Sequence, residues 1–133
     1  MRPILARFSE PVYALLRIVV GFLFACHGSQ TFFNIPPGEP HELAPLILIG
    51  KVIELAGGLL IAAGLLTGIS AFICSGQMAV AYWFFHAKGG FWPLVNQGEM
   101  AVLYCFVFLF MAAKGSGIWS VDSLLARRSP PPA

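Results

Sequence analysis

Long apolar runs separated by short clusters of turn-forming residues dominate the chain, and each run approaches the length of one bilayer crossing. The first covers 12–33, opened by Pro11 and closed by the stretch Asn34-Ile35-Pro36-Pro37-Gly38-Glu39-Pro40. A second, 43–66, carries Pro45 in its first turn and passes through Thr67-Gly68 into a third, 69–87, so the two are predicted to form an antiparallel hairpin. The segment Lys88 to Gly98 breaks the third run. The fourth and shortest, 99–114, ends at Lys114-Gly115-Ser116-Gly117. Residues 1–11 read as a cytoplasmic N-terminus. Residues 115–133 read as an interfacial segment, with an amphipathic piece around Val121 to Leu125, and a disordered Pro-rich tail. The pattern predicts an all-α fold, a polytopic membrane four-helix bundle over 12–114.

Composition strengthens this reading. Of 133 residues, 58% are hydrophobic and 11% charged, more apolar surface than a soluble domain of this size can hide in one core. Four crossings put both ends on one side. Arg2, Arg7, Lys114, Arg127 and Arg128 flank the membrane there, against Lys88 on the other, so both N- and C-termini are expected to be cytoplasmic and the protein to lie in the cell's inner (cytoplasmic) membrane. The net charge of +2 comes from scattered side chains and forms no basic stripe, which excludes a nucleic-acid partner. Cys26, Cys74 and Cys105 lie inside apolar runs without metal-ligand spacing, so they are expected to pack as small hydrophobes, and no metal site is predicted. Leu23-Phe24-Ala25-Cys26 loosely resembles a lipoprotein cleavage box, but Phe24 is bulky for its place, and the first run is kept as a helix.

Small residues recur where helices must meet: Gly21, Ala25 and Gly28 on the first, Gly50, Gly57, Gly58 and Gly64 on the second. Ionisable groups at membrane depth are expensive unless paired or hydrated, which makes the few present here candidates for function. Arg17 is expected to pair internally with a carboxylate as a structural residue, or to reach the cytoplasmic headgroups. At about 1.5 Å per residue, His27, Lys51, Glu54, His86 and Glu99 all fall between the midplane and the outer surface, with Gln30, Gln77, Asn96 and Gln97 as neutral neighbours. A polar pocket is expected in that half of the bilayer, its candidate ligand-binding residues being His27, Gln30, Lys51, Glu54, Trp83, His86 and Glu99. Lys51 and Glu54, three apart, can also neutralise each other. Paired axial ligation of haem by His27 and His86 is disfavoured because their depths differ by roughly one helical turn. Phe32, Phe33, Tyr82, Trp83, Phe84, Phe85, Phe91 and Trp92, at the outer ends of the first and third runs, suit an interfacial aromatic belt or a stacking wall for a flat ring such as a quinone.

Several of these residues stand in a recognisable order. Leu16-Arg17-Ile18 to Gly21 with His27-Gly28, then Ile53-Glu54-Leu55-Ala56-Gly57-Gly58 and Gly64-Leu65-Leu66-Thr67, His86, Gly98-Glu99 and Trp119-Ser120-Val121-Asp122 together resemble the DoxX family of small four-helix membrane proteins. Ser29-Gln30-Thr31 departs from it where a basic residue often follows the His-Gly pair. The resemblance implies a four-helix bundle with both termini inside. By analogy with the related subunit of thiosulfate:quinone oxidoreductase, it also implies a link to membrane quinone chemistry. Two functions follow as expectations: a quinone-interacting subunit of a membrane redox system, or a structural accessory subunit packed against a larger membrane complex or in a homo-oligomer. Membrane lipids are partners in either case.

Overall fold

The computed structural model describes residues 3–39 and 44–128, and every regular element among them is helical. A 3₁₀ turn, Ala6–Phe8, leads into α1, Ser9–Phe33. Then follow α2, Pro45–Ala63, α3, Thr67–Ala81, α4, Glu99–Lys114, and the short α5, Val121–Arg128. Pro11 sits in the first turn of α1 and Pro45 opens α2, where a missing N–H forfeits no intrahelical bond. α1 stops at Asn34, which takes the left-handed conformation that a short polar side chain tolerates.

The turn between α2 and α3 falls at Gly64-Leu65-Leu66, three residues before the Thr67-Gly68 link expected from sequence. Glycine is the residue that adopts the left-handed cap without a Cβ penalty, and Gly64 does so at φ +72°, which leaves Thr67 and Gly68 free to begin α3. Beyond Ala81 the third helix continues through a wider π turn, Tyr82–His86, and a 3₁₀ turn, Ala87–Gly89. The amphipathic piece extends one turn past Leu125 as α5. The Ser-Pro-Pro-Pro tail and His41 and Glu42 of the loop before α2 lie outside the described residues.

Three helical stretches are long and apolar enough to cross a membrane: Ala6–Phe33, Pro45–Ala63 and Thr67–Gly89. In the second, 22% of the spanning window is buried inside the protein, so most of it must meet another apolar phase. Leu46, Ile49, Val52 and Leu59 of α2, and Ile69, Phe72 and Ile73 of α3, are exposed in this way. Hydrocarbon satisfies them and water does not; the chain is a helical membrane protein. At 16 residues α4 is about 24 Å long, short of the roughly 30 Å hydrocarbon layer.

Two kinds of seam hold the helices. α1 and α2 touch backbone to backbone. A Cβ added at Gly21 would lie 2.5 Å from the Ala62 nitrogen, one at Gly58 2.5 Å from the Ala25 nitrogen, and one at Gly28 2.5 Å from the Leu55 nitrogen, so only hydrogen fits at these three positions. Elsewhere the core interlocks through side chains: Phe24 of α1, Ile61 of α2, Ala71, Cys74 and Met78 of α3, and Ala101, Tyr104, Phe108 and Met111 of α4. The Phe24 ring lies 4.7 Å from that of Phe108 and 5.2 Å from that of Tyr104, centroid to centroid, while Tyr104 and Phe108, one turn apart, stack at 5.5 Å. Aromatic contact of this kind adds to the burial of the rings and joins α1 to α4 across the core. All three cysteines are free thiols, and Cys74 packs where Gly57 leaves room for its sulfur.

Candidate functional site

The polar side chains gather at two places, one at each end of α2. At its C-terminal end Arg17 of α1 is fully buried. Its Nη1 donates to the carbonyls of Ile61 at 2.7 Å and Ala62 at 2.8 Å, and its Nη2 to those of Trp119 at 2.7 Å and Ile118 at 3.4 Å. The α2 carbonyls are among the last four of their helix, which have no partner within it and carry the negative end of its dipole. In place of the carboxylate expected from sequence, Arg17 takes main-chain oxygens from two segments. The ion pairs formed among the described residues are Lys51–Glu54 and Lys114–Glu10.

Asp122 completes this end. Its Oδ1 accepts from the Leu66 N–H at 3.1 Å, and its Oδ2 from the Thr67 N–H at 3.5 Å and the Ser116 hydroxyl at 2.6 Å. A residue 55 positions away thereby caps the N-terminus of α3. The Ser116 hydroxyl bond, against a smaller opposing effect of burial, holds the Asp122 carboxyl below the usual carboxylate range; the Leu66 and Thr67 N–H groups and the nearby Arg17 charge add to it. Ser120 packs under Gly64, and the Asp122 N–H returns to the Gly64 carbonyl at 3.0 Å. Trp119-Ser120-Val121-Asp122 is therefore the lock that ties the tail to the α2–α3 turn.

Toward the other end of α2 the arrangement is looser. Lys51 Nζ donates to Glu54 Oε2 at 2.7 Å, one turn along α2, and Gln77 Nε2 of α3 donates to Glu54 Oε1 at 3.4 Å. Gly50 makes space for that amide, since a Cβ there would lie 3.2 Å from Gln77 Nε2. The other amide atom, Gln77 Oε1, is buried without a partner. These groups border a cavity of about 430 Å³ between α2 and α3, whose walls are otherwise apolar, Ile47, Ile53, Ile73, Val80 and Phe85 among them. His86 joins the lining from the π turn, and its Nδ1 lies 3.2 Å from the Asn96 carbonyl. A carbonyl only accepts, so in this contact Nδ1 carries the proton and donates it.

Lys51, Glu54 and His86 are thus brought together, while four other candidates stand apart. His27 is exposed on α1, its ring edge-on to Tyr104 at 6.4 Å, and does not line the cavity. Gln30 Nε2 donates to the Pro37 carbonyl at 3.2 Å and fastens the loop after α1. Trp83 is exposed beside Tyr82, and Glu99 is exposed in the first turn of α4, where a carboxylate favours the helix dipole. Gln77 has a larger part than a neutral neighbour. The signal that could have raised it was its depth, matched to Glu54 across an antiparallel hairpin.

Comparison with known proteins places this architecture. The family model described as DoxX matches residues 12–87, which include most of α1, all of α2 and α3, and the π turn, with Arg17, Lys51, Glu54, Gln77 and His86. An uncharacterized protein of Haemophilus influenzae is 37% identical over 126 residues, covering 90% of this chain and 94% of its own length. No solved structure matches the chain. With a helical membrane fold and a family match across more than half its length, the chain belongs to the DoxX family.

Proposed function

We propose that this protein binds the head of a lipid-soluble quinone in the cleft between α2 and α3, as one subunit of a redox system in the cell's inner membrane. In this reading α1 to α4 each cross the bilayer once as a four-helix bundle, both termini are cytoplasmic, and the cleft lies in the outer half. The observation that carries it is the uneven satisfaction of the cleft's polar groups: Glu54 is held from two sides, while Gln77 Oε1 is buried and unpartnered beside apolar walls. A buried acceptor left unmade costs about 1–3 kcal/mol, a cost that a hydroxyl donor would remove. A quinol supplies two such donors, one of them to Gln77 Oε1 and the other to the His86 ring. The oxidised ring instead offers carbonyls to Lys51 Nζ. Glu54 and His86 are the groups that exchange the accompanying protons, and the electrons come from a partner subunit.

The test is to purify the protein in mild detergent and assay its extracted lipid for quinone. The wild-type chain and His27→Ala retain stoichiometric quinone, whereas Glu54→Gln and His86→Ala lose it while keeping their helical content. An accessory role is the second reading, and one feature favours it: Lys51 and Glu54 already neutralise each other at 2.7 Å, so the cluster can serve simply to tie α2 to α3 through Gln77. Absence of quinone from a well-folded wild-type protein that copurifies with a fixed set of membrane subunits selects that alternative.

A further inference from the structure

The segment joining α3 to α4 has a composition and a hydrogen-bond pattern that no solvated loop requires. Phe91, Trp92, Leu94 and Val95 leave 63 to 77% of their surfaces uncovered, with no charge between Gly89 and Gln97. Polar groups turn the other way. The Phe91 carbonyl accepts from the Tyr82 hydroxyl, the Gly90 carbonyl from Asn96 Nδ2 at 2.7 Å, and the Asn96 carbonyl from His86 Nδ1. Main-chain N–H groups close inward as well: Val95 and Asn96 on the Trp92 carbonyl, both at 3.0 Å, and Gly98 on Asn96 Oδ1 at 2.8 Å and the Pro93 carbonyl at 3.0 Å. Irregular backbone that turns several of its polar groups onto one another while presenting aromatic and aliphatic side chains outward suits the boundary between headgroups and hydrocarbon, where the remaining main-chain groups still reach water. The neighbouring helix supplies an independent reason. α4 falls short of the hydrocarbon thickness by about 6 Å, and this loop is the element that precedes it at the end where the deficit can be filled.

We infer that residues 90–96 are a membrane-seated segment whose Phe91, Trp92, Leu94 and Val95 insert into the lipid leaflet at the α3–α4 end, extending the apolar length of the short fourth helix. Lys88 and Glu99 are the charged residues that flank it in sequence. Because the same segment holds His86 through the Asn96 carbonyl, its seating in lipid also fixes the depth of that ring. The inference does not depend on what the α2–α3 cleft binds.

Trp92 reports the outcome directly once Trp83 and Trp119 are replaced by phenylalanine. In nanodiscs of brominated phosphatidylcholine its emission is expected to be blue-shifted and quenched about two-fold or more, and dissolved iodide to have little effect. Strong quenching by iodide with no response to brominated lipid overturns the inference. Should the double replacement disturb folding, a second measurement needs no tryptophan change. In Cys26→Ala, Cys105→Ala protein within sealed membranes, Leu94→Cys should resist a membrane-impermeant maleimide that readily labels Glu39→Cys. Equal labelling of the two positions overturns the inference as well.

Discussion

The two ends of α2 use ionisable side chains in opposite ways. At the C-terminal end Arg17 is wholly buried, and its two terminal nitrogens are spent on carbonyls of α2 and of the tail. Toward the other end Lys51 keeps part of its surface open and pairs with the nearly buried Glu54 across one helical turn, and Gln77 Oε1 is left buried without a partner at the edge of a cavity. Arg17 Nε is also buried without a partner, but it is enclosed with the rest of a wholly buried side chain away from the cavity, whereas a charge matched by another side chain at a cavity's edge can exchange that partner. Depth in the membrane therefore makes a residue costly without saying what the cost supports; the identity of its partners decides.

The sharpest way to break this contrast is to remove the buried guanidinium. Arg17→Met strands the carbonyls of Ala62 and Trp119 and leaves that of Ile61 with the Gly64 N–H alone, and charge-assisted bonds of this kind are worth about 1.5–3 kcal/mol each, so a loss of about 4 kcal/mol or a failure to fold is expected. Arg17→Lys keeps the charge without the fork and should recover only part of the loss. Thermal unfolding in detergent, followed by helical signal, measures both. Wild-type stability in Arg17→Met would show that the end lock is held by something else.

The next largest effect belongs to the α1–α2 seam that carries both ends. Gly58→Ala puts a Cβ 2.5 Å from the Ala25 nitrogen, and because backbone is the obstacle, the helices must separate at a cost of about 2–3 kcal/mol. Gly76→Ala is the matched control on α3, where nothing lies within 4 Å of the new methyl and helix propensity makes the change neutral or stabilising by up to about 1 kcal/mol. Equal effects of the two substitutions would mean that the helices are not in backbone contact at Gly58.

How much of this was legible in the sequence follows from what each feature is made of. The helical runs and the glycines of the α1–α2 seam could be read because hydrophobicity and small size are properties of residue types. The partners of Arg17 could not, since Ile61, Ala62 and Trp119 contribute carbonyls that every residue possesses. Depth along an axis grouped His27 with Glu54, but rotation about the axis sends His27 toward Tyr104 and away from the cleft. The same omission hid Gln77, whose importance comes from facing Glu54 across the hairpin.

A smaller effect distinguishes the end lock by its response to acid. The folded state holds the Asp122 carboxyl below its unfolded value, so its contribution is fully present above the unfolded pKa and fades as pH falls through the depressed folded one. Stability should therefore decline with acidification below the ordinary carboxylate range. Asp122→Asn should cost about 1 kcal/mol at neutral pH, the value of a helix cap, and flatten that part of the profile. An unchanged acid limb would assign the decline to other carboxylates.

The smallest effect on stability is expected where the effect on function should be greatest. Lys51→Met leaves a nearly buried carboxylate with the Gln77 amide but no counter-charge, and Glu54→Gln leaves an ammonium without its own, so either single change should cost about 1 kcal/mol, softened by the partial exposure of Lys51. Changing both together removes the imbalance along with the pair, and the double variant should return to within about 0.5 kcal/mol of wild type. No comparable repair exists for Arg17, because the carbonyls it satisfies cannot be mutated away. A double variant that unfolds like the wild type yet retains no quinone would separate stability from binding at the α2–α3 cleft. If instead the double variant is as unstable as Arg17→Met, the Lys51–Glu54 pair is as structural as the lock at the opposite end, and the distinction between the two ends of α2 disappears.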